Sequence, residues 1–174
     1  MKKLLVLIII LAVCAGILFG INSGLQDVRM EKLSEEHQHI MRTLLPGSEH
    51  FTLEKYTGYD ANIRSVHKGE TGYVIETVTS GYAGDIRMLI GVSNEGKVMG
   101  LVVRELHDTY SLGRNALTDT DFLAQFLCTS GDAAVGTTVD AISGATVTSK
   151  AIARSVNSAV GYITGVDVSS SATP

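Results

Sequence analysis

TGYVIETVTSGYAGDIRMLIGVSNEGKVMGLVVRE, residues 71–105, decides the fold. Three apolar runs rich in β-branched residues, Tyr73 to Val78, Arg87 to Val92 and Val98 to Val103, are the length of ordinary strands. The last two flank Ser93-Asn94-Glu95-Gly96-Lys97, a good hairpin turn. A three-stranded antiparallel core follows. Outward from it the period changes to helical. Ile152, Val156, Ala159, Val160 and Ile163 mark one face of a helix from about Val147 to Ile163 that ends near Gly165, with Lys150, Arg154 and Asn157 on the other side. Asp119 or Thr120 starts a short helix carrying Phe122, Leu123, Phe126 and Leu127. A charge-rich helix from about Gln26 to Leu45 has partial periodicity in Val28, Leu33, Ile40, Leu44 and Leu45, and Pro46-Gly47 stops it. The predicted class is α+β, an antiparallel sheet core with packed helices.

An anchor precedes this domain. Leu4 to Ile21 is uninterrupted apolar sequence. As a helix it would be about 27 Å long, against a hydrocarbon core of roughly 30 Å. Lys2 and Lys3 stand before the run and no basic cluster follows it directly, which puts the N-terminus in the cytoplasm and the rest outside. A cleaved signal peptide fits less well, because Ala12-Val13-Cys14-Ala15 is too central for a cleavage site. Lipidation at Cys14 fits poorly with Val13 before it and apolar residues after it. The expected organisation is an anchor over 1–22, spanning the bilayer through 4–21, then a membrane-proximal helix over 23–47. A domain over 48–165 and a Ser-rich flexible tail over 166–174 complete it.

Charge and cysteine content narrow the function. The chain holds 14 Lys and Arg against 18 Asp and Glu, a net −4, so nucleic acid is not expected as a partner. Cys14 and Cys128 would lie on different sides of the membrane geometry, which excludes an internal disulfide. Cys128 is expected to be buried behind the Phe122–Phe126 helix. His37 and His39 lie two apart on a helix and face different directions, so they read as solvated. His50, His67 and His107 have no ligand spacing, and no metal is expected. Asp119 and Asp121 read as helix-start residues, and no nucleophile with its base is evident, which favours a carrier over a hydrolase.

The chemistry concentrates in Asp140-Ala141-Ile142-Ser143-Gly144-Ala145-Thr146, continued as Val147-Thr148-Ser149. Ser143 and Gly144 make a tight turn, and Thr146 stands where a helix begins. A helix N-terminus offers unpaired N–H groups and the positive end of a dipole, a favourable place for a phosphate. The same residues also suit a plain Thr helix cap that binds nothing. Residue types alone leave both readings open.

Asp-x-x-Ser-Gly-Ala-Thr resembles the attachment signature of the FMN-binding domain found in the G subunit of Rnf electron-transport complexes. The C subunit of sodium-translocating NADH:quinone oxidoreductases shares it. The resemblance implies FMN joined covalently to Thr146 through a phosphoester, installed by a separate flavin transferase with FAD as donor. Asp140, Ser143, Gly144 and Ala145 would then recognise and cradle the phosphate, and Thr148 would donate to it from the first helical turn. Met41-Arg42-Thr43-Leu44-Leu45-Pro46-Gly47 is similar to the family's membrane-proximal Leu-Pro-Gly segment. His107 to Phe126 resembles a flavin-side loop, with Thr109, Leu112 and Gly113 matching, Asp108 in place of Glu and Tyr110-Ser111 in place of Pro-Gly. The implied function is a membrane-anchored electron carrier on the extracytoplasmic face, one relay between reduced ferredoxin and NAD beside other, ion-pumping membrane subunits. Two other readings stay open. One is a free-standing anchored FMN carrier for an extracellular acceptor; the other is a flavin-free anchored binding module.

Overall fold

The computed structural model describes residues 35–82, 84–106 and 119–165. Five strands form one antiparallel sheet in sequence order: β1 (Thr52–Glu54), β2 (Ile63–Lys68), β3 (Gly72–Ser80), β4 (Asp85–Ser93) and β5 (Val98–Leu106). The α+β class stands as predicted, and the three-stranded core is corrected to five. β1 and β2 escaped notice because β1 has only three residues and β2 carries a register shift between Ile63 and Ser65 that breaks its alternation. The β4–β5 turn lies where expected, with Ser93 N–H donating to the Lys97 carbonyl at 2.8 Å and Gly96 at φ +79°.

Alternation along β3 divides the core between two faces. On one, Ile75 packs with Ile152, Val156, Ala159 and Val160 of a long helix. On the other, Val74 and Leu89 meet Met41, Leu44 and Leu45. Residues 35–44 are helical; we call this segment α1. The compact unit of the domain begins at Ile40, within α1. Leu44 lies against Gly91 and Gly100, which are register partners on β4 and β5. A Cβ on Gly91 would collide with the Leu44 carbonyl oxygen, and one on Gly100 would stand 3.1 Å from the Leu44 Cα. The two glycines thus form a saddle that lets the helix end approach the sheet backbone.

Two more helices complete the described residues. α2 (Thr120–Ala124) is capped by Asp119, whose carboxylate accepts from the Asp121 and Phe122 N–H groups at 3.0 Å each. Phe122 and Phe126 are buried and meet edge to face at 5.3 Å. Cys128, expected to be buried, is exposed. It takes φ +63°, which swings its side chain away from the core while its N–H reaches the Val98 carbonyl at 2.8 Å.

α3 (Thr146–Thr164) ends at Gly165 in the left-handed conformation, as the sequence predicts. It is less one-sided than its periodicity suggests. Asn157, placed by sequence on the polar side, is 5% exposed. Its amide accepts from the Ala133 N–H at 3.1 Å and donates to the Ala133 carbonyl at 2.9 Å. The loop before α3 therefore closes over a side that periodicity alone assigns to solvent. Asn157→Ala leaves both Ala133 groups unpaired and is expected to cost about 2 kcal/mol, read as a lowered denaturant midpoint. At the far end Tyr162 packs against Tyr56 and Tyr73 with ring centroids 5.9 Å apart in each pair, and its hydroxyl donates to Glu54 at 3.4 Å. Burial, then the Glu54 charge, pushes the Tyr162 phenol upward.

Among the described residues no helix is long and apolar enough to cross a membrane. The expected anchor over 1–22, the first part of the membrane-proximal helix and the tail over 166–174 lie outside the described residues.

Candidate functional site

The mouth of α3 is held to the sheet by polar contacts that small side chains allow. Thr79 on β3 donates to the Ala151 carbonyl at 3.2 Å and hydrogen-bonds the Ser155 hydroxyl at 2.8 Å. Arg154 donates to the Ser80 carbonyl at 3.3 Å, and Asn62 donates to the Ser158 hydroxyl at 3.2 Å. These bonds fix where the first turn of the helix stands.

The segment entering the helix is equally determined. Val139 is buried and bridges Val135, and the Asp140 N–H donates to Gln125 Oε1 at 2.8 Å. Ala145 N–H closes a turn onto the Ile142 carbonyl at 2.9 Å, with Gly144 at φ +80° in its third position. That is the type II geometry, which requires a residue tolerant of positive φ. Ser149, wholly buried, ties the turn to the helix: its hydroxyl donates to the Ala145 carbonyl at 3.0 Å and accepts from the Ile142 N–H at 3.4 Å. Gly144→Ala is expected to cost about 1 kcal/mol and to slow any chemistry at this turn more than it lowers the melting temperature. Comparing modification yield with calorimetry on one preparation checks this.

Thr146 differs in one respect from a Thr cap. The N-cap is Ala145, which has no side-chain cap bond, and Thr146 is the first helical residue. Its side chain is exposed and caps nothing. Among the described residues the N–H groups of Thr146, Val147 and Thr148 have no acceptor. Thr148, in the same turn, is 2% exposed. No acidic residue lies in the first turn. Among the described residues the helix thus presents three N–H donors, a dipole end and the exposed Thr146 hydroxyl, an arrangement complementary to a phosphoryl group. The residues fit the phosphate of FMN.

Of the sequence-predicted residues, Asp140, Ser143, Gly144 and Thr146 are exposed around this mouth, with Ala145 and Thr148 buried beneath it. Thr109, Leu112 and Gly113 lie outside the described residues, as does His107. His37 is half-buried rather than solvated, and His39 is exposed. From the sequence Ser149 reads either as a donor to the phosphate or as a support of the cap, and the structure shows the second; the role of Gln125 is not foreseen. The Gln125 contact, from fifteen residues away, leaves no local signal.

Residues 81–161 match the family described as FMN-binding domain, a span that runs from the β3–β4 turn through the first four turns of α3. The G subunit of an ion-translocating oxidoreductase complex from Methanosarcina acetivorans is 29% identical over 178 residues, covering 92% of this chain and 93% of that one. The G subunit of a proton-translocating ferredoxin:NAD(+) oxidoreductase complex from Clostridium ljungdahlii is 34% identical over 99 residues, 53% of each chain. The G subunit of the Na(+)-translocating counterpart from Acetobacterium woodii is 32% identical over 98 residues, 51% of this chain and 47% of that one. The chain therefore spans nearly all of the first relative and about half of the other two.

Proposed function

We propose, for a chain that carries an FMN-binding domain and is homologous over most of its length to the G subunits of ion-translocating oxidoreductase complexes of the Rnf type, that it is the flavin-carrying subunit of such a complex. FMN is joined to Thr146 by a phosphoester and relays electrons between reduced ferredoxin and NAD, in a flow coupled to ion movement by other membrane subunits. The carrying observation is the uncapped start of α3, where among the described residues the exposed Thr146 hydroxyl makes no hydrogen bond and three N–H donors have no acceptor. A helix cap that binds nothing would use that hydroxyl.

The residues divide the work. Thr146 Oγ takes the FMN half of FAD from a flavin transferase: its O–P bond forms as the pyrophosphate bond breaks, AMP leaves, and the hydroxyl proton goes to the transferase. The free N–H groups and Thr148 receive the phosphoryl oxygens, while Ser143 and Gly144 keep the approach open and Asp140 marks the loop for recognition. Thr109, Leu112 and Gly113 belong to the loop on the flavin side. Bound FMN supplies one- and two-electron chemistry at its ring, and the protein supplies place and electrostatics. Residues 4–21 anchor the chain in the cell membrane with the FMN domain on the extracytoplasmic side, where a tether prevents loss of the cofactor.

The test is ultraviolet illumination of a denaturing gel of protein from a host that makes the transferase, followed by intact mass and peptide mapping across 141–154. Fluorescence that survives denaturation, with one FMN less one water on Thr146, supports the reading. A dark band and an unmodified peptide sink it. Co-purification with several polytopic membrane subunits supports the complex, and a chain that purifies alone favours a free-standing carrier.

A further inference from the structure

From Thr146 to Val160, α3 exposes only Thr146, Val147, Lys150 and Arg154. Thr146, Lys150 and Arg154 stand at i, i+4 and i+8, so they form a single solvent stripe on a helix otherwise buried along this length. A group joined to Thr146 therefore meets the helix along that stripe. The two cations on it are not equivalent. Arg154 is engaged by the Ser80 carbonyl. Lys150 has neither hydrogen bond nor ion pair among the described residues, and no carboxylate stands in the first turn to answer it. Lys150 stands one turn into the helix, at the edge of the reach of the N-terminal dipole, where an anion at the mouth would be its nearest opposite charge. Helical side chains lean toward the N-terminus, which carries Lys150 back over Thr146, with the two Cβ atoms about 5–6 Å apart. In the same turn Thr148 is buried.

We propose, resting on the assignment of FMN to Thr146, that Lys150 is a positioning residue for the flavin phosphodiester. Its ammonium pairs with the non-bridging oxygen that the Thr146, Val147 and Thr148 N–H groups leave facing solvent. It thereby fixes the direction in which the flavin chain departs from the helix. Lys150 acts through the phosphodiester and not on the ring.

The test uses full-length wild type, K150Q and K150R from the native host, each shown by intact mass to carry FMN, and reads the phosphodiester signal by phosphorus NMR across alkaline pH. The wild-type signal is expected to move as the Lys150 ammonium loses its proton. K150Q should be displaced at neutral pH and flat through the titration, whereas K150R should keep the neutral-pH position without the alkaline movement. A solvated lysine with only a structural role would leave the signal alike in all three, and that result overturns the proposal. FMN missing from wild-type Thr146 overturns the attachment reading and this one together. Should K150Q fail to load, acylation of the Lys150 amine decides. Several-fold slower labelling in wild type than in T146A, relative to Lys97 in the same digest, supports the pairing, and equal labelling overturns it.

Discussion

Thr146→Ala gives a colourless protein, dead in electron transfer, that melts within about 2 °C of the parent. The two halves of that result come from separate features of one residue. Thr146 carries the only proposed attachment oxygen, so flavin loading falls to zero rather than to a fraction. Its hydroxyl makes no cap bond and its side chain is exposed, so the stability change stays within about 0.5 kcal/mol, as for an ordinary surface substitution. For a domain of this size 0.5 kcal/mol corresponds to a shift of roughly 1–2 °C. A capping Thr would instead cost about 1 kcal/mol. Visible absorbance and scanning calorimetry of the same sample separate the cases. A variant that keeps its colour ends the attachment proposal, and one that is colourless but unstable restores a structural role for the hydroxyl.

Gly91→Ala has the largest expected effect on folding. The new methyl group would be driven into the Leu44 carbonyl, at a place where α1 and β4 meet through backbone and neither side can rotate away. Relief requires lifting Leu44, and with it Met41 and Leu45, from Val74 and Leu89. Overpacking of this kind costs about 3 kcal/mol, or a melting temperature lower by roughly 10 °C at this size. Gly100→Ala should be milder, since its contacts with Leu44 begin at 3.1 Å and a small shift absorbs them. Equal loss in the two variants would show that the saddle is not what limits the approach. Thermal melts of both variants beside the parent decide it.

Much of the fold is legible in the sequence because most of it follows strong periods. β3, β4 and β5 are nine residues each and dense in Val and Ile. Asp119 announces α2, and Gly165 ends α3 as its position suggests. What stayed hidden depends on partners far along the chain. Asn157 looks like a solvent-facing residue until Ala133 is folded onto it. Cys128 looks like a core thiol until its backbone turns left-handed to reach Val98. At the candidate site the motif pointed to Thr146, but the residue types could not distinguish a cap from a cradle. The difference lay in a shift of one position, because Ala145 takes the N-cap and leaves the donors free. An alanine before that helix was readable as a poor cap, and it is the signal sequence reasoning passed over.

The bonds that seat α3 also set when, on the proposed attachment, the chain would become competent for flavin loading. Thr79 must meet Ala151 across 72 residues, and Asn62 must meet Ser158 across 96. Contacts of such span close late, after the entropy of long loops has been overcome. The Thr146 hydroxyl therefore has no ordered helix mouth around it until nearly the whole domain has been synthesised and packed. On the proposed attachment, loading would act as a checkpoint: a chain truncated or misfolded anywhere between β2 and α3 would remain unmarked, and colour would record completed assembly.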